Sequence, residues 1–252
     1  ILVNTRFLEE TIMLELQNIK WKVSDGTEII KNINVEIPTG KLVVITGPNG
    51  GGKTSLAKLI AGLEKPTSGS IILDGEDITS LDITERANKG ISYAFQQPVR
   101  FKGITVRDLL ELAAGKKIEE KEICSLLGKV GLCTRDYIDR EVNSSLSGGE
   151  IKRIEIATVL ARNTKLTIFD EPEAGIDLWS FNELIDAFVE IKENYAGTLL
   201  IISHQERILN IADEIIVIAN GVVKDIGKKE EILPTLLEVS NTGDCCLNGG
   251  NN

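Results

Sequence analysis

The sequence is poor in histidine, methionine and aromatic residues, and it has no long hydrophobic run. Of its 252 residues, 1 is histidine, 1 is methionine and 4% are aromatic. The longest apolar runs, such as residues 199–202 and 215–219, have the length of strands and are far shorter than the ~20 residues of a membrane-spanning helix. No signal peptide is recognisable, and we therefore expect a cytoplasmic protein.

Cysteine and positive charge are also scarce. The 4 cysteines show no CxxC or Cys/His ligand spacing, which makes a zinc or cluster site formed by the protein improbable. The 28 Lys and Arg residues are outnumbered by 38 Asp and Glu residues, for a net charge of −10. A chain this acidic repels a nucleic acid backbone, so we do not expect a nucleic acid partner.

The first third of the chain has the pattern of strands followed by one helix. Residues 13–19 and 29–37 alternate apolar and polar side chains on either side of a Ser-Asp-Gly turn, which predicts antiparallel strands. Residues 41–46 form a short continuous apolar run, typical of a strand buried on both faces. The next segment has Leu56, Leu59 and other apolar residues at helical spacing.

A long interval without strand patterns separates two strand-containing parts of the chain, and this interval indicates an inserted subdomain. Residues 105–163 show only helical spacing, and later strands alternate with helices. We therefore predict an α/β fold with a parallel-sheet core, an antiparallel β subdomain and a helical subdomain inserted at about residues 98–160. The domain is expected to span residues 13–239. Residues 1–12 are interpreted as an N-terminal extension and residues 240–252 as a flexible C-terminal tail.

A glycine-rich segment lies between the buried strand and the following helix. It fits the phosphate-binding P-loop in full, and glycines there let backbone N–H groups point at phosphate oxygens in front of a helix N-terminus. Lys53 is expected to supply charge to the β- and γ-phosphates of a nucleotide, and the Thr54 hydroxyl is expected to be a ligand for Mg²⁺. The predicted nucleotide-binding residues of this segment are Gly47, Pro48, Asn49, Gly50, Gly51, Gly52, Lys53, Thr54 and Ser55.

Two carboxylates follow the apolar strand at residues 166–169. Asp170 in this position is expected to hold Mg²⁺ through its water shell. Glu171 is expected to accept a proton from the attacking water, or at least to orient it. Many strands end in acidic residues, so the pattern is informative only together with the P-loop.

The segment Leu146-Ser147-Gly148-Gly149-Glu150 completes a resemblance to the ATP-binding cassette (ABC) family, whose signature usually ends in Gln. Ser147 and Glu150 also have the spacing of a helix capping box, and both interpretations can hold. The resemblance implies a P-loop NTPase of the ABC type that hydrolyses MgATP between two copies of the chain. It also implies that Ser147 and Gly149 contact the γ-phosphate bound to the opposite protomer.

Three further positions match the same family. Gln96 resembles the Q-loop glutamine that contacts Mg²⁺ and the attacking water, and Asp177 lies in the usual place of the D-loop aspartate. His204 matches the switch histidine. A single histidine is more often structural or solvated, but a position after a strand, on the phosphate side of such a sheet, favours a role at the site. The implied catalytic residues are Glu171, His204 and Gln96.

The choice among ABC ATPases depends on residues 95–106. This segment resembles the Q-loop of the SufC proteins, the ATPases of SUF iron–sulfur cluster assembly. Residues 148–153 and 204–209 also resemble those proteins. That resemblance implies soluble SUF scaffold subunits as partners. The proline after Glu171 is typical of transporters, and the alternative is a nucleotide-binding subunit with a membrane permease as partner. A nucleotide-binding regulator that does not hydrolyse ATP is disfavoured by the presence of Glu171 and His204.

Nucleotide choice is predicted to be loose. Val23 occupies the position where the family usually has an aromatic residue that stacks on adenine, and Trp21 lies two residues away on the same strand face. Because one stacking contact is worth about 1–3 kcal/mol, GTP should compete with ATP within about tenfold. Competition binding measures this ratio, and a much larger preference for ATP would mean that a ring does stack on adenine.

Overall fold

The computed structural model describes residues 11–96, 101–194 and 196–242. Within these residues, ten strands join in one mixed sheet in the order β5-β4-β1-β2-β10-β9-β3-β8-β7-β6. The strands are β1 (Ile12–Lys22), β2 (Glu28–Pro38), β3 (Leu42–Thr46), β4 (Ser68–Leu73), β5 (Glu76–Asp77), β6 (Ile91–Ala94), β7 (Leu166–Asp170), β8 (Thr198–Ile202), β9 (Glu214–Ala219) and β10 (Val222–Lys228).

Helices cover the sheet and fill the long interval between β6 and β7. None of the described helices is long and apolar enough to cross a bilayer. The helices are α1 (Lys53–Ala61), α2 (Ile83–Asn88), α3 (Val106–Ala114), α4 (Glu120–Lys129), α5 (Thr134–Tyr137), α6 (Gly148–Arg162), α7 (Leu178–Asn194), α8 (Glu206–Ile211) and α9 (Lys229–Thr242).

The sheet has a parallel and an antiparallel part. Strands β9, β3, β8, β7 and β6 run parallel to one another, and β1, β2, β4 and β5 pair antiparallel. Strand β10 connects the two parts, since it pairs antiparallel with β9 and reaches β2 through Val222 and Asn32. The predicted fold class is therefore confirmed.

Two apolar cores lie on opposite faces of the parallel strands. Leu42 and Val44 of β3 belong to the core that includes α6 and α7, whereas Val43 and Ile45 belong to the core that includes α1 and the antiparallel strands. Successive side chains of a strand point to opposite faces, so both faces of β3 must be apolar. This explains the continuous apolar run that predicted a buried strand.

Strand β1 is longer than its alternating pattern indicated. Its pairing with β2 is irregular between Leu16 and Ile19, and Asn18 adopts a positive φ of 53°. The backbone N–H of Asn18 donates to Oδ1 of Asn34 at 2.8 Å. This irregularity breaks the alternation, yet pairing resumes and the strand continues to Lys22.

Helix α1 ends against a buried guanidinium. Arg86 is 0% exposed and donates to the carbonyls of Leu59 at 2.6 Å, Ile60 at 2.9 Å, Thr79 at 3.0 Å and Leu81 at 3.1 Å. Burial lowers the pKa of Arg86, but an arginine remains charged in proteins. The cation therefore satisfies the last carbonyls of α1 and lies at the negative end of the helix dipole.

Replacing this guanidinium should destabilise the fold. Arg86→Met keeps much of the volume but removes a donor from four carbonyls, of which the bonds to Leu59 and Ile60 are fully buried, so we expect a loss of about 2–4 kcal/mol in the free energy of unfolding. Urea denaturation measures the loss, with Arg135→Met on an exposed residue as control. A loss no larger than that of the control would contradict the capping role.

Candidate active site

The P-loop backbone lies directly on strand β9. Gly47, Gly50 and Gly52 have positive φ angles of 131°, 74° and 103°. A Cβ atom at Gly47 would lie 2.0 Å from the carbonyl oxygen of Ile218, and one at Gly51 would lie 2.9 Å from the same oxygen. Glycine is required at these positions, because a side chain would push the loop off the strand.

The loop and the start of α1 have the features of an anion site. Gly52 caps α1 without a side-chain hydrogen bond, so the first N–H groups of the helix remain available for an anion. Lys53 is 5% exposed, and its Nζ donates to the carbonyls of Gly47 at 2.8 Å and Pro48 at 3.1 Å. Helix dipole and ammonium thus place positive charge in front of the loop.

Asp170 ends β7 beside this loop. Thr54 Oγ1 donates to its Oδ1 at 3.0 Å, and the Tyr93 hydroxyl donates to its Oδ2 at 2.7 Å. Burial, with the Asp170 hydrogen bond adding to it, raises the pKa of Tyr93, which keeps the hydroxyl a donor. Hydroxyl and carboxylate oxygens are the donors that Mg²⁺ prefers. The residues present therefore fit the predicted magnesium ion.

Glu171 and Gln96 meet next to Asp170. Gln96 Nε2 donates to Glu171 Oε2 at 2.7 Å. Glu171 has a positive φ of 46°, and its N–H donates to the carbonyl of Ile202 on β8 at 3.0 Å. Its side chain lines the same cavity as Asn49 and the rest of the P-loop. The structure therefore brings Gln96, one of the three predicted metal-side residues, to the predicted base, and Asp170 with its partner Thr54 lies next to that base.

His204 is exposed and follows β8 at the same edge of the sheet. Its neighbour Ser203 is buried and donates to Glu173 Oε1 at 2.5 Å, while Ser203 Oγ accepts the N–H of Gln205 at 3.0 Å. Burial raises the pKa of Glu173. These bonds fix the turn from which His204 projects.

The predicted signature and D-loop residues form a second group. Ser147 caps α6 in a full capping box with Glu150, and a Cβ at Gly149 would lie 2.4 Å from Cβ of Ser180. Asp177 accepts the N–H and the hydroxyl of Ser180 at 3.0 and 2.7 Å, and these bonds lower its pKa. Among the described contacts of one chain, none joins this group to the P-loop.

Glu150 anchors the start of α6 from a second side. The Tyr137 hydroxyl donates to its Oε1 at 2.5 Å, and Arg140 lies 3.6 Å from the same oxygen. Burial acts to raise the pKa of Glu150, but hydrogen bonds from Tyr137 and Ser147 outweigh it and leave the pKa below its usual value. Glu150 therefore has a local structural function where the family usually has Gln.

Sequence reasoning missed several residues next to the site. One is Tyr93, because the apolar run around it predicted a strand and gave no sign of a role at the site. Lys152 and Glu155 of α6 are a second case: Lys152 Nζ donates to the Phe95 carbonyl at 2.6 Å and lies 3.0 Å from Glu155. The Phe95 N–H in turn bonds Glu155, whose pKa is raised by burial. Both charges hold the residue before Gln96, although helical spacing assigns them to a polar face.

The structure places Trp21, the aromatic residue nearest to the position expected to stack on adenine, against the apolar core. Ile29 on β2 lines the cavity beside the P-loop. Trp21 lies opposite Ile30 in the β1–β2 pairing and packs, half-buried, against the core on that side. Trp21 therefore packs against the core, and Ile29 is the apolar residue of this region that lines the cavity.

Fold and site together define a P-loop ATPase with a separate signature segment. The family model described as ABC transporter matches residues 30–174, more than half of the chain. The chain belongs to the ABC transporter ATPase family, and it is an ATP-binding protein and ATP hydrolase.

Relatives and solved structures agree with this membership. The chain is 40% identical over 213 residues to an uncharacterized ABC transporter ATP-binding protein of Methanocaldococcus jannaschii, which covers 81% of this chain and 85% of that protein. It is 36% identical over 230 residues to the energy-coupling factor transporter ATP-binding protein EcfA1 of Mycoplasma mobile, with 88% and 82% covered.

The fold is also similar to a solved dimeric ATP-binding cassette in a post-hydrolysis state, bound to ADP and Pi. The TM-score is 0.75 at 26% identity, and the match covers 86% of this chain and 99% of that chain. The predicted ABC family is confirmed. The finer assignment to SUF assembly is unconfirmed, because these relatives carry transporter names.

Glu171→Gln tests the role of the carboxylate. The amide keeps the size of the side chain and an oxygen for Gln96, but it cannot take a proton, so turnover should fall by roughly 10²–10⁴-fold or more. ATP affinity should remain nearly unchanged in equilibrium binding. Glu122→Gln, on the exposed face of α4, is the matched control, and normal turnover of Glu171→Gln would remove Glu171 from this role.

Proposed function

We propose that this chain is the nucleotide-binding subunit of an ABC transporter, which hydrolyses MgATP in a head-to-tail homodimer and drives a membrane permease. The dimer is supported by the separation, within one chain, of the P-loop site from the group formed by Ser147, Gly149 and Asp177. The transporter role is supported by relatives that are named as transporter ATP-binding proteins.

The residues around the P-loop have different roles in the proposed reaction. The P-loop amides and Lys53 would bind the phosphates, while Thr54, Asp170 and Gln96 would hold Mg²⁺ and its waters. The metal, when bound, neutralises charge on the phosphates. Glu171 orients the attacking water and takes its proton, and His204 contacts the γ-phosphate.

The second group completes the site of another copy. Ser147 and Asp177 are exposed, and Ser147 lies at the N-terminus of the 15-residue helix α6, where a phosphate is favoured by the helix dipole. A γ-phosphate held on the P-loop of one protomer would satisfy this helix end in the other. A solved cassette in the same fold is dimeric.

An apolar groove next to the Q-loop is the proposed permease contact. It is lined by β6, α3 and α6 and includes Phe101, Leu109 and Ile154. Ala94 lines the groove two residues before Gln96, so a segment seated in the groove would contact the strand that leads to Gln96. Residues 97–100, which belong to the segment 95–106 that carried the SUF resemblance, lie outside the described residues.

A SUF assembly ATPase is the second candidate, favoured by the resemblance of residues 95–106. Both candidates share the ATP site and differ in what occupies the groove. We also propose the domain bounds given above, with an ATPase unit at about residues 13–239. Strand β1 begins one residue earlier, at Ile12, and α9 continues to Thr242. Residues 1–10 and the tail with Cys245 and Cys246 lie outside the described residues.

The partner is tested by crosslinking in the native organism. A photoreactive amino acid at Leu109 in the groove should capture a polytopic membrane protein from detergent-solubilised membranes. The same probe at Glu190 on α7 is the matched control and should not. Capture of a soluble SUF scaffold, with loss of iron–sulfur enzyme activity on depletion of the chain, would overturn the transporter proposal in favour of the second candidate.

A further inference from the structure

A tyrosine hydroxyl contacts the carboxylate that the ATPase site requires. Strand β6 runs parallel to β7 with Tyr93 opposite Ile168, and Asp170 lies two residues further along. Residues two apart share a strand face, so the long Tyr93 side chain reaches Asp170 on the neighbouring strand. The hydroxyl donates to Asp170 Oδ2 at 2.7 Å.

The carboxylate is thereby held from two sides. Its Oδ1 accepts the hydroxyl of Thr54 at 3.0 Å, so Oδ1 is the oxygen on the metal side and Oδ2 faces β6. Asp170 is 4% exposed, and few solvent molecules compete for either oxygen. The Tyr93 ring packs edge-on against Phe95, with centroids 4.9 Å apart and planes at 75°.

We propose that Tyr93 is a positioning residue for Mg²⁺: its hydroxyl holds Oδ2 of Asp170 so that Oδ1 stays directed at Thr54 and the water shell of the metal. A carboxylate offers about four lone-pair directions, and the partner on one oxygen fixes the orientation of the other. Groups that orient metal-binding side chains strengthen the metal site without contacting the metal. The inference rests on the proposed MgATP function.

Tyr93→Phe separates positioning from packing, because it removes one oxygen and keeps the ring against Phe95. The probe is Mn²⁺, measured by electron paramagnetic resonance on the full chain with ADP. The Mn²⁺ dissociation constant should rise about tenfold, the lower end of the range for lost orienting partners. Affinity for ATP in EDTA should stay at the wild-type value, and the thermal midpoint should fall by only a few degrees, because Oδ2 of the buried Asp170 loses one donor.

Tyr137→Phe is the matched control, since that hydroxyl also donates to a carboxylate, Glu150 Oε1, at 2.5 Å, but outside the metal site. Its Mn²⁺ affinity should equal that of the wild type. A 4-aminophenylalanine at position 93 restores an N–H donor on the same ring and should recover Mn²⁺ binding.

Three outcomes would overturn the inference. They are an unchanged Mn²⁺ dissociation constant in Tyr93→Phe, an equal loss of metal-free ATP binding, and failure of 4-aminophenylalanine to recover the affinity lost in Tyr93→Phe. A wild-type chain that binds no Mn²⁺ with nucleotide would instead contradict the proposed function, so the two failures are distinguishable.

Discussion

The site depends on one close approach of backbone to backbone, the P-loop against the carbonyl end of β9. Gly47 and Gly51 come so near the carbonyl of Ile218 that no side chain fits between them. This contact sets the direction in which the loop leaves β3, and hence where Lys53 and the open N-terminus of α1 point. Thr54, in the next position, is then within reach of Asp170 on β7. The positions of the predicted nucleotide and metal sites therefore depend on how the parallel strands β9, β3, β8 and β7 are arranged side by side in the sheet.

Much of this arrangement could be predicted from the sequence, because its determinants are local. A run of glycines before Lys53 and Thr54 has few uses other than a curled anion-binding loop. The apolar run before Asp170 and Glu171 places those carboxylates at a strand end. Since the carboxyl ends of parallel strands share one edge, local strand assignments sufficed to predict that the two motifs meet.

The remainder depends on tertiary contacts that no local pattern contains. Arg86 is charged and lies in a short helix, and only the folded chain shows that it is fully buried against the end of α1. Lys152 and Glu155 occupy polar positions of α6, yet they bond to the backbone of Phe95. Phe95 lies 57 residues before Lys152 in the sequence, so no local pattern predicts this contact. The bond from Tyr93 to Asp170 requires the β6–β7 register, which one sequence does not give.

The turn between β9 and β10 ties the loop to the rest of the sheet. The N–H of Gly221 donates to the carbonyl of Gly51 at 3.1 Å, and the carbonyl of Gly221 accepts the N–H of Lys31 at 2.9 Å. The region that the family model matches ends at residue 174 and lacks this turn as well as Ile218. A fragment with these bounds would keep its P-loop, Asp170 and Glu171 but lose the backbone contacts that shape the loop, so we expect that it does not fold on its own.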